Sequence, residues 1–205
     1  MDLQILFWVI VVGVIGFLVT RSILHYLALK RLGWRWVDHP DLRITAGLNH
    51  SPFGLGFNRT VRDQVVGRSH EGVPFQAFRY GSDHWKDRNH IVCVSLPHPM
   101  PPFYRFTTQS PLPALDGPPP TDDTQIMFFL EQDHGRAVAE AIGPFLPELG
   151  ARQLTIDHDQ LVMFGVKSDL KSLEAAVELL ARIQAAIASS PAVSHEYESA
   201  PLHVS

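Results

Sequence analysis

The chain has 205 residues, 45% hydrophobic and 19% charged, with a net charge of −4. That length suits one soluble domain and an anchor, and is too short for two large domains. Sixteen Pro and fourteen Gly mark many turns, yet the apolar fraction is too high for wholesale disorder, and a collagen-like or coiled-coil chain is excluded.

Leu3 to Thr20 reads LQILFWVIVVGVIGFLVT, with Gln4 the one strongly polar side chain, and apolar character resumes after Arg21. At about 1.5 Å per residue this run nearly crosses a hydrocarbon core of roughly 30 Å, so it predicts a transmembrane helix. A cleaved signal peptide fits poorly: no Lys or Arg precedes the run, and Arg21, Tyr26 and Lys30 stand where cleavage needs small residues. Arg21, Lys30, Arg31 and Arg35 follow the run, so the positive-inside rule predicts a single-pass inner-membrane protein with its C-terminal domain in the cytoplasm. Trp34 and Trp36 alternate with Arg35, which suits an aromatic and cationic membrane-interface belt shared with Arg21, Lys30 and Arg31; packing onto the domain is the alternative for the two tryptophans. Gly13, Gly16 and Thr20 share one helix face and form a candidate seat for a partner helix, although glycine is common in spanning helices anyway. Residues 1–35 are thus read as anchor and juxtamembrane helix.

Residues 36–108 read as a β-rich block. Strands are expected over Gln64 to His70 and Val73 to Tyr80, joined at Glu71-Gly72 as a hairpin, then over Asn89 to Leu96 and Phe103 to Thr108. In the third run Val92, Val94 and Leu96 line one face while Ile91 and Cys93 are apolar on the other, which predicts a central strand covered on both sides. Cys93, the single cysteine, is read there as a buried reduced thiol.

Nine of the sixteen prolines fall between Pro97 and Pro120, and residues 109–124 read as a Pro-rich linker. Residues 125–188 follow as a β-α-β-β-α block: a strand over Gln125 to Glu131, a helix over His134 to Ile142 capped by Asp133, a hairpin of Gln153 to Asp157 with Leu161 to Val166, and a helix over Asp169 to Ala188. In that last helix Leu173, Val177, Leu180, Ile183 and Ile187 define the core face. Lys171, Glu174, Glu178 and Arg182 occupy the opposite face as a solvated stripe, with Glu178 and Arg182 spaced for an i,i+4 pair. Residues 189–205 lack periodicity and read as a disordered tail. The whole is α+β: an N-terminal transmembrane helix followed by an antiparallel sheet packed against two helices, with two separate small layers either side of the linker as the alternative.

Net charge runs +3 over residues 1–35, +2 over 36–105 and −9 over 106–205, which gives nucleic-acid binding no support in the acidic half. The eleven histidines never reproduce a zinc-ligand spacing, and no cofactor motif is present. Asp157-His158-Asp159 falls at a predicted hairpin turn, where Asp serves turn chemistry alone. Ser168 to Lys171 has SxxK spacing without companion motifs, so Ser168 is read as a helix N-cap. Gly54 to Asn58 (GLGFN) lacks the preceding strand and following Lys of a phosphate loop. No catalytic residue is assigned.

The spanning helix together with GWRWV (33–37), VVGRSHEGVPFQAFRY (65–80) and IVCVSLPHPMPPF (91–103) resembles a family of uncharacterised actinobacterial single-pass membrane proteins. Val66, Gly67, Gly72, Phe75, Phe78 and Tyr80 stand in its hairpin pattern, with Val94, Leu96, Pro97 and Pro101 in its strand pattern; SLPHPMPP (95–102) is richer in Pro than that pattern. The resemblance implies an anchored α+β domain and no established activity. The expected function is a membrane-tethered interaction module, an accessory or assembly subunit of an inner-membrane complex, whose partners are the membrane and other membrane proteins. Alternatives are a hydrolase or transferase using loop residues such as His84, Asp87 and His90, and a small-ligand sensor domain.

Overall fold

A computed structural model describes residues 3–48, 52–53, 56–83, 89–100, 104–107, 125–128, 136–150 and 152–194. The protein is α+β. Helix α1 spans Leu3–Arg31, and no described side chain between Phe7 and Leu24 is buried. This one N-terminal helix is long and apolar enough to cross a membrane.

Eight strands form one sheet: β1 (Arg35–Val37), β2 (Thr60–Arg68), β3 (Pro74–Gly81), β4 (His90–Ser95), β5 (Tyr104–Thr107), β6 (Gln125–Phe128), β7 (Gln153–Asp157) and β8 (Gln160–Val166). Their order is β1-β2-β3-β4-β8-β7-β5-β6, and every neighbouring pair is antiparallel. Strands from both sides of the Pro-rich stretch therefore interleave, because β8 pairs with β4 and β5 pairs with β7. They do not fold as two separate layers. The stretch 109–124 lies outside the described residues.

Alternation along the strands gives the sheet two apolar faces. On the first, Val65, Phe75, Ala77, Val92, Val94, Leu161, Met163, Leu154 and Ile156 pack under α2 (Arg136–Ile142), α3 (Leu146–Leu149) and α4 (Leu170–Ser189). Helix α4 buries the predicted stripe of Leu173, Val177, Leu180, Ile183 and Ile187. On the second face, Val61, Phe78, Tyr80, Ile91, Cys93, Val162 and Phe164 meet Leu48 and Phe53. The Phe53 ring lies 5.1 Å from Tyr80 and 5.9 Å from Phe164, between centroids. Cys93 is a free, buried thiol, and burial pushes its ionisation far above the usual range.

Three local expectations change. The N-cap of α4 is Asp169, not Ser168: its carboxylate accepts from Ser172 N at 2.9 Å, a bond that also lowers its pKa. Arg182 does not pair with Glu178 in a solvated stripe but makes a bidentate bond to Glu148 on α3. Glu178 instead accepts from His70 N at 2.9 Å and lies 3.2 Å from its Nδ1, tying the β2–β3 turn to α4. The chain after α4 makes another helical turn over 191–194, and Val193 is buried in the core; residues 195–205 lie outside the described set. Asp133, the expected cap of α2, lies outside it as well.

Candidate functional site

The most elaborated local structure is the foot of α1. The helix ends where Gly33 adopts φ +70°, with Gly33 N donating to Lys30 O and Trp34 N donating to Leu29 O at 2.9 Å. That bond pattern is a Schellman close, which turns the chain sharply and brings Trp34 back against Leu29. Leu29 is 1% exposed and Trp34 6%, and both belong to the main core. His25, Ala28 and Leu32, on the same side of α1 at helical spacing, are half-buried.

The Trp34 ring packs against Gly67. A Cβ there would approach Trp34 Cδ1 to 2.4 Å, so only glycine admits the indole. Phe75 meets the ring edge to face at 4.7 Å, and Trp34 Nε1 donates to Arg68 O at 2.9 Å. Trp34 thus takes the packing role and is no headgroup residue: its one polar atom is satisfied inside the domain. Trp36 is half-buried against the same core, with His25 at 6.1 Å, and Arg35 is exposed; both lie in β1, which pairs Arg35 with Val66 and Trp36 with Val65. The alternation W-R-W-V after Gly33 was the signal for β1, a strand the sequence reading did not assign. Lys30 and Arg31 are exposed on the last turn of α1; Arg21 lies in α1, its side chain outside the described set. Gly13 and Gly16 face open space, and Thr20 is exposed.

Beside this foot the first face of the sheet turns polar. A bulge in β2 between Arg62 and Val65 places Asp63 at φ +52°, a conformation Asp tolerates better than most residues. Its carboxylate pairs with Arg79 of β3, and its backbone carbonyl lies 3.2 Å from His90 Nε2. A carbonyl only accepts, so Nε2 carries the proton and Nδ1 is a bare acceptor. His90 is 4% exposed, and its Nδ1 and the Nε of Arg79 are buried without a hydrogen-bond partner among the described residues. Burial, then the nearby charges of Arg79 and His25, push the His90 pKa down to about 4, so the ring is neutral at neutral pH. Arg62 stands opposite Arg79 in register.

The other candidate residues do not converge on this cluster. His84 and Asp87 lie outside the described residues, and of that triplet His90 alone is placed, at the start of β4. His158 and Asp159 make the β7–β8 turn, His158 at φ +56°, and their carbonyls accept from Met100 N and Leu96 N at 2.7 Å each. No group of three metal-ligating side chains gathers among the described residues. Sequence reasoning missed Asp63, Arg79 and Arg62, which only strand register brings together. No family model, curated protein or solved structure matches the chain.

Proposed function

We propose that the chain is a membrane-tethered interaction module, an accessory or assembly subunit of an inner-membrane complex, with its α+β domain in the cytoplasm. The observation that carries the reading is the division of α1: a largely apolar stretch over Phe7 to Leu24 in which no described side chain is buried, joined without a linker to a foot locked into the core by Leu29 and Trp34. At about 1.5 Å per residue the free part rises about 27 Å, close to a hydrocarbon thickness. A helix so fixed carries the domain at a set height and angle, which suits a subunit that positions a surface for other membrane proteins. Arg21, Lys30, Arg31 and Arg35 follow the run Leu3 to Thr20, and Met1 and Asp2 before it carry no cationic side chain, which supports the cytoplasmic side. Membership of the actinobacterial single-pass family belongs to the same proposal and rests on the hairpin and strand patterns alone.

Mild-detergent purification followed by mass spectrometry tests the reading. A reproducible membrane-protein partner is expected, and recovery only as a free monomer overturns it. A phosphatase reporter fused after Ser205 is expected to be inactive; activity there reverses the orientation.

A further inference from the structure

The strand register shows which end of the domain accompanies α1 toward the membrane. β1 runs from Arg35, opposite Val66, to Val37, opposite Gln64, so Trp34 lies toward the β2–β3 turn and Trp36 nearer the opposite end. His25 sits against Trp36 and acts electrostatically on His90, whereas the helix end at Leu29 to Trp34 lies over Gly67 and Phe75. Helix α1 therefore leaves the domain past the end of the sheet where Thr60 pairs with Gly81 and where β4 begins.

That end carries an unusual side chain. Outside α1, Phe57 is the one large apolar residue so exposed among the described residues, at 79%. It is held outward by a built turn: Phe57 N donates to Asp83 Oδ1 at 2.5 Å, Asp83 N donates to Phe57 O at 3.2 Å, and Asn58 follows at φ +51°. The turn is anchored just past the end of β3, at the membrane-directed end. Arg59 and Arg62 flank it, both exposed, and neither has an ion pair among the described residues. Asp63 is committed to Arg79 and Asp83 to the Phe57 backbone, so among the described residues neither carboxylate is left to neutralise Arg59 or Arg62.

We propose that this rim is a second membrane contact: Phe57 inserts into the interfacial layer of the phospholipid bilayer that α1 crosses, and Arg59 and Arg62 bind lipid phosphates. The inference rests on the reading of α1 as a spanning helix. An exposed aromatic ring beside cations is the composition of interfacial anchors. Continuity with α1 supplies the occupant, because the lipids around a helix that leaves at this end present their headgroups to it. With two contacts the domain is held against the surface, not merely hung from it.

The full chain in phospholipid vesicles tests this with single environment-sensitive labels at Thr60→Cys on the rim, Glu71→Cys at the opposite hairpin, and Val12→Cys in α1. Buried Cys93 stays unlabelled because its thiol is inaccessible. Lipids carrying quenchers at headgroup depth are expected to quench position 60 and not 71, and Phe57→Ser is expected to abolish the quenching at 60. The double change Arg59→Gln with Arg62→Gln is expected to weaken it, and no weakening overturns the role of the arginines. Position 12, read with deep quenchers, reports the spanning helix separately. If 12 is quenched while 60 behaves like 71, the rim contact is wrong and the spanning helix stands; if 12 is also unquenched, both fall.

Discussion

The two parts of α1 belong to one continuous helix and do different things. From Phe7 to Leu24 none of its described side chains is buried, while one turn later Leu29 is 1% exposed. Hydropathy falls across the foot, where His25, Lys30 and Arg31 enter the helix, but it does not say that Leu29, as apolar as the leucines above it, meets protein. The difference lies in what the sheet offers: Trp34, folded back by the Schellman turn onto Gly67 and Phe75, belongs with Leu29 to one core, Trp36 reaches His25, and no described side chain from Phe7 to Leu24 is buried. An apolar run is a requirement for burial, and only a neighbouring surface says whether protein or lipid meets it.

The largest effect expected from this contrast is at Trp34. Trp34→Ala removes the indole from a packed site and its bond to Arg68 O, and is expected to destabilise the domain by about 3–5 kcal/mol, measured by unfolding of the full chain in bilayer discs. Leu29→Ala is expected to cost about 2–5 kcal/mol in the same measurement, while Val12→Ala on the free part leaves domain unfolding unchanged. Equal effects at positions 29 and 12 would erase the division of the helix.

A third test uses His90, buried beside the foot. Its pKa of about 4 in the folded domain lies below the ordinary 6.5. Between those values the unfolded chain binds the proton that the folded chain rejects, so stability is full above about pH 6.5 and falls as pH drops toward 4. Over the whole window the loss is about 3 kcal/mol, at about 1.4 kcal/mol per unit. His90→Gln is expected to flatten this part of the stability-pH curve, and an unchanged slope contradicts the burial of the ring. The smallest effect belongs to a purely local feature: Asp169→Ala removes the cap of α4 and is expected to cost about 1 kcal/mol, seen as a lowered thermal midpoint.

Much of the fold was legible. Period-two alternation located β3, β4, β7 and β8 to within a residue or two, and the spacing from Leu173 to Ile187 identified the buried face of α4. Those signals are local, because a residue's direction from its own backbone decides them. The short strand β1 escaped because three residues carry too little pattern, and its tryptophans read equally well as interfacial. Glu178 and Arg182 were spaced for each other, yet each found a better partner on a distant element, His70 and Glu148, since an i,i+4 pair contributes only a few tenths of a kcal/mol.

By itself the sequence determined that the chain begins with a helix able to cross a bilayer, that an α+β domain with antiparallel strands follows, and that Cys93 sits within a strand apolar on both faces. Tertiary structure alone decided where the apolar helix stops being free, that strands from both sides of the Pro-rich stretch share one sheet, and that Asp63, Arg79, His90 and His25 gather at the foot of α1. The reason is sequence distance: these residues are 11 to 65 positions apart, and no local periodicity encodes which strand lies beside which.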